Sequence, residues 1–310
     1  MLKNNSSIEI TICSVYHSEA SKKLLELNYD LVKQLNPGVN FIWIVADNSP
    51  ADLKEKIDAD KFLIVPGAGK LADNIPAGVR GSYHHAVAIN SSLKYVKTRF
   101  VLILDNDFYI VRSIWIKDII EYMKKNNLSF LGSPWHPRLW KKIRYFPGHF
   151  SLFIDLNKIN IKDLDFTPQY DEISYRNILT FKNRGKIGLS RDTGYALYRK
   201  YYKNSKIKYE CVLPVLKPYK NSNFVFVLIK KIIKSIIPDK WLYVPKRSSY
   251  YSEIGFSDLG YFDVAAWNWE EFMWKNKPFG FHLRGTRKTV LSTEEKIFKV
   301  KDALNSFSNL

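Results

Sequence analysis

The residues of this chain best suited to chemistry are Asp105-Asn106-Asp107, which end the apolar run Phe100-Val101-Leu102-Ile103-Leu104 and precede Phe108-Tyr109-Ile110-Val111. Two carboxylates two positions apart on an extended segment point to the same side, so both can reach one cation. Hard divalent ions choose oxygen ligands, and Mg²⁺ characteristically combines one or two carboxylates with phosphate oxygens of a substrate. The pair therefore points to a diphosphate. The same three residues also make an ordinary solvated turn after a strand, and so short a motif recurs by chance. A second phosphate-like signal, Gly67-Ala68-Gly69-Lys70, fails as a P-loop. Ile64 stands where the first glycine is needed and Leu71 where Ser or Thr is needed.

The elements that must position the carboxylates alternate as in a parallel sheet covered by helices. Strands are expected at Ile8 to Val15, Phe41 to Ala46, Phe62 to Val65 and Phe100 to Leu104. Helices are expected at Ser18 to Leu35, closed by Asn36-Pro37-Gly38, and at Tyr83 to Val96 and Ile114 to Lys125. Asp47-Asn48-Ser49-Pro50 is a strong turn signal, and Pro66 to Gly81 reads as a glycine-rich loop. Leu128 to Phe153 reads as irregular and aromatic. The carboxylates then fall at the carboxyl edge of a buried strand, where open α/β sheets bind ligands.

At 310 residues, with 46% apolar and 15% aromatic residues, the chain is globular and can hold a large core. The formal charge of +18 favours polyanionic partners. No zinc finger, basic heptad or RNA-binding aromatic signature accompanies it, so nucleic acid is not the expected partner. Cys13 and Cys211 have neither metal-ligand spacing nor the look of a disulfide framework, which fits a cytosolic setting. Met1 to Ser7 lacks the apolar core of a secretory signal, and no run is long enough to span a bilayer. Phe224 to Ile237, FVFVLIKKIIKSII, is apolar yet carries Lys230, Lys231 and Lys234. It reads either as a helix lying on an anionic membrane surface or as an ordinary core segment. The aromatic residues Trp135, Trp140, Tyr250, Tyr251, Trp267, Trp269 and Trp274 fit either core packing or a sugar-stacking groove.

The stretch Gly81-Ser82-Tyr83-His84-His85-Ala86-Val87-Ala88-Ile89-Asn90, with the run from Tyr95 through Phe100 to Asp107, resembles the core of family 2-like glycosyltransferases with the GT-A fold. The first strand, ending in Ser14-Val15-Tyr16-His17, and the second, ending in Asp47-Asn48-Ser49, resemble that family's nucleotide-binding edges. Gly148 to Leu156 is similar in placement to the strand beside the acceptor, leading into a segment like Ile161 to Phe166. The resemblance is good over residues 8 to 112 and weak beyond about residue 200. It implies an α/β fold with a Rossmann-like mixed, mostly parallel sheet and flanking helices. Residues 1–216 form the catalytic domain, and 217–310 a basic, aromatic C-terminal extension that completes the active site.

The resemblance also implies roles. Asp107 is the preferred direct ligand of Mn²⁺ or Mg²⁺, with Asp105 a ligand through water or a ribose contact. A C-terminal histidine, His282, supplies a third ligand, and a carboxylate, carboxylate and imidazole set suits Mn²⁺. The bland alternative for His282 is a packed histidine among aromatics. Ser14, Tyr16, His17, Asp47, Asn48, Gly81, His85, Asn90 and Asn106 line the nucleotide-diphosphate sugar, and Arg284, Arg287 and Lys288 contact its phosphates. Because adjacent helical residues diverge by about 100°, His84 and His85 are not expected to act as a metal pair. Asp192, before an apparent helix Tyr195 to Tyr202, is either the general base of an inverting displacement or that helix's N-cap. Here the chain has Arg191-Asp192 where inverting members carry Glu-Asp, and Asp171-Glu172 is the fallback pair. The expected activity is metal-dependent transfer from a nucleotide-diphosphate sugar to a surface glycan or lipid-linked saccharide at the inner face of a membrane. A retaining transferase on the same fold, and a non-catalytic basic protein binding glycan or nucleic acid, are the alternatives.

Overall fold

Buried strands that must be covered on both faces read as apolar at nearly every position, and the first strand, β1 (Ile10–Tyr16), is buried along its whole length. The structure, a computed structural model, describes residues 9–49, 58–71, 73, 75, 77–136, 145–176, 183–216, 250–283 and 292–307. Within these, the side chains of residues 19, 170–176, 183–191 and 293 lie outside the description. The basic apolar run 224–237, Trp140, and the proposed phosphate contacts Arg284, Arg287 and Lys288 lie outside the described residues.

Ser18 caps helix α1 (Glu19–Leu35) in a capping box with Ser21, and Asn36 ends it. Strands β2 (Phe41–Asp47) and β3 (Leu63–Pro66) follow. Next come helix α2 (Ala77–Ser92), strand β4 (Phe100–Leu104), the short strand β5 (Phe108–Ile110) and helix α3 (Trp115–Asn126). Strands β6 (Phe130–Pro134) and β7 (Pro147–Asp155) are both buried throughout. Beyond them lie the hairpin β8 (Gln169–Arg176) and β9 (Asn183–Arg191), helix α4 (Tyr195–Tyr201), β10 (Tyr209–Cys211) and β11 (Leu213–Pro214). Strands β12 (Glu270–Trp274) and β13 (Lys277–His282) and helix α5 (Thr293–Ser306) complete the described chain.

The main sheet runs β10-β6-β7-β4-β1-β2-β3. The pairs from β3 to β4 and the pair β6 with β10 are parallel, while β7 is antiparallel to both neighbours. This is the mixed, mostly parallel α/β sheet with flanking helices that the sequence implied. Alternation divides its core. Ile10, Ile12, Phe100, Leu102 and Leu104 face α1 and α3, packing with Leu25, Val32, Trp115 and Ile119. Cys13, Val15, Val101 and Ile103 face the other way, onto Ala86 and Ile89 of α2.

A second, antiparallel sheet runs β11-β12-β13-β5 and packs with Leu24 and Leu31 of α1 and Val300 and Ala303 of α5. Residues 280–282 pair directly with residues 108–110, so this C-terminal part is built onto the N-terminal one.

Two expectations need correction. The loop after β3 is shorter than Pro66 to Gly81, because α2 begins at Ala77. The stretch 128–153 is expected to be irregular, but its described residues contribute two strands, β6 and β7, to the main sheet. Of the two readings of the aromatic residues, core packing holds for Trp135, Trp269 and Trp274, which are buried.

Candidate active site

Because β1, β2 and β4 are parallel, Tyr16, Asp47 and Leu104 finish at one edge of the sheet. The chain runs from β1 outward through β2 and β3 and then returns to the far side of β1 as β4. This makes the β1/β4 boundary the topological switch point, where such sheets hold ligands. Asp105, Asn106 and Asp107 lie there, in the turn that carries the chain from the main sheet into the second one. Three backbone bonds fix the turn. The Asp105 N–H donates to the Phe150 carbonyl at 3.1 Å, Phe108 N–H to the Asp105 carbonyl at 3.1 Å, and Leu283 N–H to the Asp107 carbonyl at 3.1 Å. The buried Asn106 side chain donates to the Val15 carbonyl at 3.5 Å.

Strand register brings His282 to this turn, opposite Phe108 on one side and Glu270 on the other. Its Nδ1 lies 3.3 Å from Glu270 Oε2 and its Nε2 lies 3.1 Å from Asp107 Oδ1. The ring stacks on Phe150 at 5.0 Å between centroids and is 2% exposed. His282 is thus both packed among aromatics and aimed at a carboxylate. A buried carboxylate on Nδ1 sets the tautomer that leaves the Nε2 lone pair for a cation, the usual support of a metal-bound histidine. Two donors held cis on one ion at about 2.1 Å stand about 3 Å apart, close to the Asp107 to His282 spacing. Ligand atoms of Asp105, Asp107 and His282 all lie within 4.8 Å of one another. The residues fit a divalent ion.

Two further imidazoles approach Asp105. His85 Nε2, on α2, is 3.5 Å from Oδ1, and His149 Nε2, on β7, is 3.8 Å from Oδ2. Their rings are 5.2 Å apart. His149 was not foreseen as a site residue. It reaches the site because β7, expected by resemblance as a strand beside the acceptor, lies antiparallel beside β4. Glu270 was missed because a strand opening Glu270-Glu271 reads as surface while both side chains are 1% exposed. His17 follows β1 at the same edge. Its pKa is lowered from the ordinary imidazole value, first by desolvation and then by His85, with Asp107 and Asp105 pulling the other way.

Asp192 sits beside this cluster. Its Oδ1 accepts from the Ser82 hydroxyl at 2.6 Å and from the Thr193 N–H at 2.9 Å. The Thr193 hydroxyl in turn donates to the Ser82 carbonyl at 3.1 Å. Ser82 and His85 are one helical turn apart on α2 and so share a face. The capping alternative for Asp192 is corrected: the N-cap of α4 is Gly194, at φ +79°, with no side-chain capping bond. A side chain at Gly194 would meet His149 Nδ1 at 3.7 Å, which places the Asp192 loop against that histidine. Of the fallback pair Asp171-Glu172 only the backbone is described, within β8.

Other predicted residues brace the edge. The Asn48 side chain donates to the His84 carbonyl at 2.9 Å and accepts from the Ala68 N–H at 2.7 Å, tying β2, α2 and the Gly67 loop together. Asp47 accepts from the backbone and hydroxyl of Ser49 at 2.9 and 2.5 Å. Ser14 is 2% exposed and donates to the Leu104 carbonyl at 2.6 Å, clamping β1 to β4. Tyr16 is fully buried. Asn90 lies farther along α2, holding Asp165 and Phe166, and Gly81 faces open space.

No family model matches the sequence, and no curated protein matches it. Among solved structures, the chain is similar to a mannosyltransferase from Pyrobaculum calidifontis in complex with GDP-Man and Mn²⁺. The likeness covers 51% of this chain and 47% of that one at 12% identity, with a TM-score of 0.37. It is also similar to S. aureus TarS in complex with UDP, over 51% of this chain and 50% of that one, at 15% identity and a TM-score of 0.35. The galactosyltransferase LgtC, in complex with donor and acceptor sugar analogs, matches over 47% of this chain and 58% of its own, at 15% identity and a TM-score of 0.32. The matched region spans roughly half the length of each of these proteins.

Proposed function

We propose that the chain is a metal-dependent glycosyltransferase of the GT-A type that transfers a sugar from a nucleotide-diphosphate sugar. The observation that carries this reading is the Asp107–His282–Glu270 chain, with Asp105, at the switch point of the sheet. A divalent ion held there neutralises and orients a diphosphate leaving group. The chain's own residues do the rest. Glu270 fixes the tautomer of His282, and Asp107 and His282 present one oxygen and one nitrogen to the same point. His17 and Asp47, at the ends of β1 and β2, face the space in which the nucleoside extends.

Asp192 is the general base in this reading. Ser82 and Thr193 orient the carboxylate by donating to Oδ1, and the carboxylate takes the proton of an acceptor hydroxyl as the new bond forms at the anomeric carbon. One carboxylate on the acceptor side supports inversion. If NMR of the first-formed product shows the donor's anomeric configuration retained, that assignment falls. The acceptor class is a surface glycan or lipid-linked saccharide at the inner face of a membrane, a reading supported by the composition of 224–237 and the charge of +18. Among the described residues no helix is long and apolar enough to cross a membrane. Flotation with anionic and neutral liposomes tests surface attachment, which predicts retention on the anionic vesicles only.

Calorimetric titration with UDP, GDP, CDP and dTDP, with and without Mn²⁺, tests the donor site. One nucleotide should bind tightly only with metal, and Asp107→Ala should remove that binding while leaving the melting temperature unchanged. Equal binding of all four regardless of metal would sink the proposal.

A further inference from the structure

We propose a second divalent-cation site, formed by His85, Asp105 and His149, which takes an imidazole-preferring transition ion such as Zn²⁺ next to the Asp105–Asp107–His282 position. Ligand atoms of the three residues lie within 4.8 Å of one another. The two nitrogens address different oxygens of Asp105, at 3.5 and 3.8 Å. These separations are at or beyond the limit of a hydrogen bond. They are short enough for one ion to bridge, since donors bound at about 2.1 Å stand between about 3 and 4 Å apart.

The two ligand sets differ in kind. Asp105, Asp107 and His282 offer two oxygens and one nitrogen, suited to Mn²⁺ or Mg²⁺. His85, Asp105 and His149 offer two nitrogens and one oxygen, which suits Zn²⁺ and disfavours Mg²⁺. Asp105 is common to both, and a shared carboxylate is how paired ions are held about 3.5–4 Å apart. Burial supports the assignment as well. His149 is 3% exposed and is fixed between Trp135, at 6.0 Å, and Phe150, at 5.7 Å. His85 is half-buried on α2, so the site keeps an open side.

The elements that bear these imidazoles are also those that hold Asp192: Ser82 lies one turn before His85, and Gly194 abuts His149. An ion here borders the acceptor side of the cluster, whereas the oxygen-rich position borders the diphosphate side. The inference rests on the metal-binding part of the proposed function, because Asp105 must be available to cations.

The test counts Zn²⁺ per chain by equilibrium dialysis and elemental analysis. The wild type should hold two ions, and His85→Ala, His149→Gln and His282→Ala one each. The double variant His85→Ala/His282→Ala should hold none. His85 is half-exposed, so His85→Ala keeps the test valid even if His149→Gln fails to fold. A wild-type count of one that His85→Ala leaves unchanged and His282→Ala abolishes overturns the second site while leaving the first intact. A count unaffected by any of these variants marks surface binding only and overturns it too. No bound Zn²⁺ in the wild type overturns the second site, whereas the metal dependence proposed above falls only if nucleotide binding is indifferent to Mn²⁺.

Discussion

At the residue scale, Asp105 and Asp107 were legible because chemistry and position coincide: two carboxylates end an unbroken apolar strand. His282 was legible only as an imidazole in a basic segment, and its partner Glu270 not at all, since burial of a charged residue is decided by a strand pairing distant in sequence. Glu270→Gln keeps the shape of that partner but removes its charge. Loss of such a supporting carboxylate should weaken Mn²⁺ binding about 10–100-fold, measured by calorimetry, with little change in the nucleotide contacts made without metal. Asp192→Asn should lower the rate of transfer about 10²–10⁴-fold and leave Mn²⁺-dependent nucleotide binding near its wild-type value. Ser82→Ala, which removes only the hydroxyl that orients Asp192, should lower kcat less than Asp192→Asn does.

At the element scale, α1 was read from a cap and an amphipathic stripe that agree, with its Ser18 capping box, and α3 from its amphipathic stripe alone. Strands β1, β2 and β4 were read from apolar runs. β7 was expected over Gly148 to Leu156 from the resemblance but not from local propensity, because Pro147, Gly148 and His149 open it with residues that favour a turn. β12 escaped because its two glutamates are buried, Glu271 accepting from the Phe256 N–H at 3.1 Å. The P-loop-like Gly67 has a structural reason of its own. Its N–H donates to the Asp47 carbonyl at 3.1 Å, and a Cβ at this position would overlap the Asp47 carbonyl and the Asn48 side chain. Gly67→Ala should therefore destabilise the fold by about 1–3 kcal/mol, seen as a lowered denaturation midpoint, by forcing apart the Asn48 bracing of the nucleotide edge.

At the scale of the whole molecule, the two free cysteines are both buried, and burial pushes the Cys13 thiol up to about 12 and Cys211 well above its usual range. An acid whose pKa is raised on folding adds stability that is fully present below its unfolded value and is lost as pH rises. For Cys13 the window runs from 9.0 to about 12, with a slope of about 1.4 kcal/mol per pH unit inside it. Urea denaturation at pH 8 and pH 10.5 should show this loss, and Cys13→Ala should reduce it. The pairing of β5 with β13 has a further consequence. Asp107 and His282 are separated by 175 positions, yet their backbones meet in a single ladder. During synthesis Asp105 and Asp107 leave the ribosome long before Glu270 and His282 do, so the nascent chain carries two of the three ligands without the histidine for much of its elongation. Cation capture at the Asp107–His282 position therefore requires a chain translated through β13 and closed on itself.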